Sequence, residues 1–147
     1  PAVNTPQFSW CRSKLPDHPM PVPPIYQPEV PAEAIYWAAH HRRREVFCGG
    51  SAAAVIFANK IAPAIADRYL ARTGFKSQQM ADRPVAKDRP DNLFAPQPQL
   101  ADTHGIFDQQ AKDRSLQLWL STHRSIAVGA MVGSAAVAAG AWKAMRP

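Results

Sequence analysis

Fifteen prolines stand against seven glycines, and they are not scattered: they crowd Pro16 to Pro31, Pro84 to Pro98 and the two ends of the chain. A proline ring fixes φ and removes a backbone donor, so such stretches cannot form the centre of a sheet or the interior of a helix. Much of the 147-residue length is therefore connector. What remains suffices for one domain with a modest core.

Between the prolines the pattern is mixed. Pro6 biases Thr5 towards an extended conformation, so Pro1 to Thr5 reads as the end of a strand or the loop after one. Gln7 to Glu29 sets Phe8, Trp10 and Tyr26 among six prolines, which suits an extended segment that covers something. Pro31 fits a first helical position, and Glu33 early with His and Arg late complements the helix dipole, which predicts a helix over Pro31 to Arg43. Glu45 to Cys48 is a short strand candidate closed by Gly49-Gly50, with Ser51 placed to cap a helix from Ala52. Phe57, Ile61, Ile65 and Tyr69 recur every four residues within Ala52 to Arg72, a helix that Pro63 must kink or split and Gly74 should end. Phe75 to Leu100 reads as a weakly ordered loop, and Asp108 to Ser121 as helical again. The rhythm is α/β, and mostly helical.

The charge balance narrows the function classes. Seventeen Lys and Arg against eleven Asp and Glu leave a formal charge of +6, enough to attract anionic surfaces. No aromatic cluster lies beside Arg42 to Arg44, which argues against a nucleic-acid partner. Cys11, Cys48 and the five histidines form no zinc spacing, so no metal is expected, and two cysteines suit a reduced cytoplasmic chain. The N-terminus carries no signal-peptide pattern and no initiating Met, so a processed, excised or truncated chain is expected. Ile126 to Trp142 is uncharged, flanked by His123-Arg124 and by Lys143 and Arg146. At 1.5 Å per residue it spans roughly 26 Å, slightly short of a hydrocarbon core of about 30 Å. Its Gly129-x-x-x-Gly133 and many alanines fit either a membrane helix or a tail helix packed on protein.

Catalytic groups are conspicuous by their absence, and no catalytic residue is nominated. No triple-glycine turn for a pyrophosphate exists, and Gly49-Gly50 reads as a strand-to-helix turn. None of Tyr26, Tyr36 and Tyr69 has a Lys four residues on, Gly50-Ser51 lacks the pattern of a nucleophile elbow, and Cys48 has no identifiable base.

Pro1-Ala-Val-Asn-Thr5-Pro6 resembles the segment after the sixth strand of the short-chain dehydrogenase/reductase (SDR) family, where Pro-Gly-x-x-x-Thr closes over the nicotinamide; Ala2 departs from the usual Gly. Ile25-Tyr-Gln-Pro-Glu29, Pro31 to Arg43 and Arg44-Glu-Val-Phe-Cys-Gly-Gly-Ser51 are similar to that family's late helix, seventh strand and following turn. Arg89-Pro-Asp-Asn-Leu93, His104-Gly-Ile-Phe-Asp108 and Ser115-Leu-Gln-Leu-Trp119 resemble the long C-terminal extension of one oxidoreductase branch. The resemblance implies the C-terminal fragment of a Rossmann-like fold, with NAD or NADP as cofactor. It implies that Val3 offers main-chain groups to the carboxamide, that Thr5 contacts the carboxamide or pyrophosphate, and that Gln7 to Gln27 covers a small-molecule alcohol or carbonyl substrate of the full-length parent. The family's glycine turn, catalytic Ser and Tyr-x-x-x-Lys would lie before Pro1, leaving this stretch inactive alone. The expected organisation is residues 1–74 as part of the dinucleotide-binding domain, 75–107 as linker and 108–147 as a helical extension. The rival reading is a small, non-enzymatic, membrane-anchored interaction protein.

Overall fold

Prolines set the element boundaries in the computed structural model, which describes residues 1–145; Arg146, one of the cations flanking the apolar run, lies outside them. About half of the chain is helical, with two small two-stranded sheets, a mixed α/β architecture. Strand β1 (Ala2–Val3) leads into α1 (Gln7–Trp10), followed by β2 (Asp17–Pro19) and β3 (Ile25–Tyr26). Helix α2 (Glu29–His40) precedes α3 (Gly50–Ile61), α4 (Pro63–Ser77) and β4 (Gln79–Pro84). A 3₁₀ turn at Pro98–Leu100, then α5 (Leu116–Thr122) and α6 (Arg124–Ala144), complete the order.

Helix α2 starts two residues before the expected Pro31, because Pro28 takes the N-cap and Pro31 falls in the first turn, where a missing N–H costs no hydrogen bond. It stops at His40 rather than Arg43, since His41 is extended and the His40 and His41 rings bond back to the carbonyls of Tyr36 and Trp37. Pro63 splits the expected long helix at Ala62, and α4 then runs past Gly74 to Ser77. Helix α5 is capped by the Ser115 hydroxyl, which accepts from the Leu118 N–H at 3.2 Å.

Three expectations fail for reasons of pairing. Glu45 to Cys48 is not a strand: no described strand lies beside it, and Val46 and Cys48 pack instead on the Tyr26, Val30, Ala34 and Leu118 cluster. Phe75 to Leu100, expected to be a weakly ordered loop, contains β4, which pairs antiparallel with β2. The register shifts between Asp17↔Pro84 and Pro19↔Gln79, and Asp82 at φ 60° takes up the bulge, as a short polar residue can. Asp108 to Ser115 is not helical, because Lys112 bridges to β3: its N–H donates to the Ile25 carbonyl at 2.9 Å, and its carbonyl accepts from Gln27 at 3.0 Å.

The core is small. On one side of β3 lie Tyr26, Val30, Ala34 and Leu118; elsewhere Ile25 and Phe107 are buried, with Phe8 set edge-on against Phe107 at 5.8 Å. A compact chain of this mass would expose roughly 7,400 Å², whereas this one exposes 11110 Å². Helices α3, α4 and α6 hold no buried side chain among their described residues.

Gly49, the α3 N-cap, sits at φ 89°, ψ 131°, and a Cβ there would lie 3.0 Å from the Tyr26 ring. Both backbone and space therefore call for glycine. Gly49→Ala is expected to lose about 1–3 kcal/mol of stability, read as a lower urea midpoint at unchanged slope; an unmoved midpoint would contradict this packing.

Candidate functional site

The site is built around one side chain that the sequence does not advertise. Asn4 is wholly buried, and its Nδ2 donates to Gln27 Oε1 at 2.9 Å and Asp108 Oδ1 at 2.7 Å. Its Oδ1 accepts the Phe107 N–H at 3.1 Å, its N–H donates to the Tyr26 carbonyl at 2.9 Å, and its carbonyl accepts from Gly105 at 3.2 Å. Gln27 Nε2 adds a second bond to Asp108 Oδ1 at 3.0 Å. Gly105 is the one residue type that fits there, since a Cβ would fall 2.5 Å from the Thr5 carbonyl and 2.7 Å from Asn4 Oδ1.

This network fixes the residues on either side of it. β1 pairs parallel with β3, Val3 opposite Tyr26, and Asn4 directs its N–H to β3; successive strand groups alternate, so the Val3 N–H points to the other edge. No described strand occupies that edge. The Val3 carbonyl turns to accept the Thr5 N–H at 3.0 Å. Thr5 is half-buried, and its hydroxyl has no partner among the described residues. Val3 and Thr5 thus line one open groove of about 420 Å³, together with Gln7, Phe8, Met20 and Gln78. The two sequence-nominated residues are brought together, with main-chain and hydroxyl groups available to a carboxamide or phosphate.

The proline-rich cover is tied down beside this groove. Arg12 Nε donates to Asp91 Oδ2 at 2.7 Å and lies over the Phe94 ring, while Arg89 donates to the carbonyls of Phe8 and Cys11. Arg12 and the Leu93 N–H together hold the Asp91 carboxyl below its ordinary range. Trp10 and residues 92–98 border a second hollow of about 510 Å³. At the far end of the cover, burial lowers the His18 pKa, and Arg83 and Arg89 push the same way against the bond from Nδ1 to the Pro19 carbonyl.

Other groups considered from the sequence fall into structural places. Burial pushes the Cys48 thiol up, away from reactivity. Arg43 donates to the Ser121 carbonyl at 2.7 Å and lies over Trp37, joining α2 to α5. His104 pairs with Glu29 at 2.8 Å; Glu29's own N–H, then His104, draws that carboxyl down. No group of three metal-ligating side chains occurs among the described residues. Asn4, Gln27, Gly105 and Asp108 all lie inside the stretches quoted for the resemblance, but no spacing or periodicity in the sequence links them.

Sixty residues of the chain are 38% identical to a segment of an uncharacterized oxidoreductase of Bacillus subtilis, YxnA. The match covers 41% of this chain and 17% of that protein, so the chain aligns with about a sixth of the relative's length. No known protein family profile and no solved structure matches the chain.

Asn4→Leu removes the buried amide and strands the Phe107 N–H, Gln27 and Asp108. A loss of about 1–3 kcal/mol or more is expected, whereas Thr5→Val at the groove should leave the denaturation midpoint nearly unmoved; equal effects would separate the network from the fold. For His18, the folded value lies below the ordinary 6.5, so the unfolded chain binds more protons between the two. Its contribution to stability is complete above pH 6.5 and falls as pH drops towards the folded value, and His18→Gln should flatten that part of the stability–pH curve.

Proposed function

We propose that this chain is the C-terminal part of an NAD(P)-dependent short-chain oxidoreductase, supplying the nicotinamide-closing strand end and the cover over an alcohol or carbonyl substrate. The 60-residue similarity to a protein named as an oxidoreductase carries the reading. The groove supports it, since it presents Val3 and Thr5 side by side on an open strand edge.

The residues present fit a nicotinamide dinucleotide at one end only. When bound, that cofactor supplies or accepts the hydride. The chain's own part is orientation: the Val3 N–H faces outwards from β1 to donate to a carboxamide oxygen, and the Thr5 hydroxyl is unengaged and can donate or accept. Asn4 holds both in place by locking the backbone between them. Phe8, Met20 and Val22 supply an apolar wall to the same groove. No titratable side chain lines the groove among the described residues, and Tyr26 is buried in the core against Gly49. Binding without turnover is the expected behaviour.

The test is an NMR titration of the chain with NADH and NADPH. Amide shifts confined to Val3 through Gln7 are expected, with affinity of about 1 mM for so partial a site, and Thr5→Val should weaken it several-fold. No NADH oxidation should accompany binding. A folded chain whose Val3 to Gln7 amides ignore both cofactors would sink the reading, as would shifts confined to a distant surface.

A further inference from the structure

Helix α6 is apolar on nearly every side, and none of its described residues is buried. Ile126, Val128, Met131, Val132 and Val137 are more than half exposed and, at 100° per residue, fall all round the axis rather than along one stripe. A helix of that kind is either enclosed by protein or surrounded by hydrocarbon, and none of Arg124–Lys143 is buried. Its 21 residues give roughly 31 Å from end to end, and the uncharged part, Ile126 to Trp142, covers roughly 26 Å of a hydrocarbon core of about 30 Å, leaving the charged ends at its borders. His123 and Arg124 stand at one end, Trp142 and Lys143 at the other, the residue types that favour headgroup depth. By length and composition it can cross a membrane.

A second surface leaves the core beside it. α5 touches both α3 and α6, and Gly50 at the start of α3 abuts Gln117. From there Phe57, Ile61, Ile65, Tyr69 and Phe75 run along α3 and α4 with at least three-fifths of their surface exposed. Lys60, Arg68, Arg72 and Lys76 accompany them against the single acid Asp67. Exposed aromatic and aliphatic side chains beside a cationic excess suit an anionic lipid interface, where the long stems of Arg72 and Lys76, on the same face as Ile65 and Tyr69, carry their charges out to the headgroups.

We propose that the chain docks on an anionic bilayer by two adjoining elements, α6 within the hydrocarbon and α3–α4 along the headgroup boundary. The proposal does not depend on the nicotinamide reading.

The test is flotation of the full chain, purified in detergent and reconstituted with phosphatidylcholine vesicles with and without phosphatidylglycerol. The chain should float with both and resist stripping by alkaline carbonate. Val132→Glu, near the middle of α6, should lower partitioning roughly 100-fold. In the Val132→Glu background, where partitioning is reversible, Arg68→Glu with Arg72→Glu should remove at least about 25-fold of the gain from phosphatidylglycerol, and Phe57→Glu should weaken binding further. Near-UV circular dichroism checks that each variant keeps its core. A chain left at the bottom of the gradient with both lipids overturns the proposal. So do variants that float like the parent, or a lipid-free oligomer in which α4 and α6 amides are already protected, which would assign these faces to protein.

Discussion

The buried carboxamide of Asn4 is the constraint on which the rest of the molecule depends. It joins residues 104 positions apart through Asp108, and closing a loop of that length costs roughly 4 kcal/mol. The hydrogen bonds it makes are worth about 1 kcal/mol each net, so they cannot offset that cost with much to spare. Burial of Ile25 and Phe107 beside it, at about 2 kcal/mol each, is what tips the balance. The polar network then supplies what apolar burial cannot: direction. A leucine-sized hydrophobe could fill the space, but only an amide can fix the Phe107 N–H, Gln27 and Asp108 in one arrangement and so set the geometry of Val3 and Thr5.

Elements with local causes were legible in the sequence, and elements with distant causes were not. Pro31 and Pro63 placed helix boundaries to within a few residues, because each acts on its own neighbours, whereas α5 begins at Leu116 behind its Ser115 cap rather than at the expected Asp108. Glu45 to Cys48 looked like a strand by composition, but a strand exists only if a second one lies beside it, and here the core cluster took Val46 and Cys48 instead. β4 was hidden for the converse reason. Its prolines and charges read as loop, yet β2, some sixty positions earlier, supplies the partner.

The site divides the same way. Val3 and Thr5 were reachable only through resemblance, since a Val and a Thr near a proline carry no chemistry by themselves. Asn4 was invisible: beside Thr5-Pro6 an Asn reads as an ordinary turn former, and its role comes from Gln27 and Asp108, which no periodicity links to it. His40, His41 and His123 serve helix ends, and Arg43 makes the α2–α5 contact. The apolar tail was legible as a pattern, while the exposed flank of α3 and α4 was not. The four-residue spacing of Phe57, Ile61, Ile65 and Tyr69 ordinarily marks a face turned inwards, and here that face is turned out.

Long-range closure also has a consequence in time. At about 5–20 residues per second of synthesis, Asn4 waits roughly 5–20 s for Asp108 to be made, and Tyr26 waits nearly as long for Leu118. Through that interval β1 and β3 lack their contacts with Asp108, Lys112 and Leu118, next to Phe8 and Trp10. The prolines at 6, 16, 19, 21, 23, 24 and 28 surround both strands, and a backbone so short of donors is a poor template for another chain. The same residues that limit how much of this chain can become core thus guard it while the core is still incomplete.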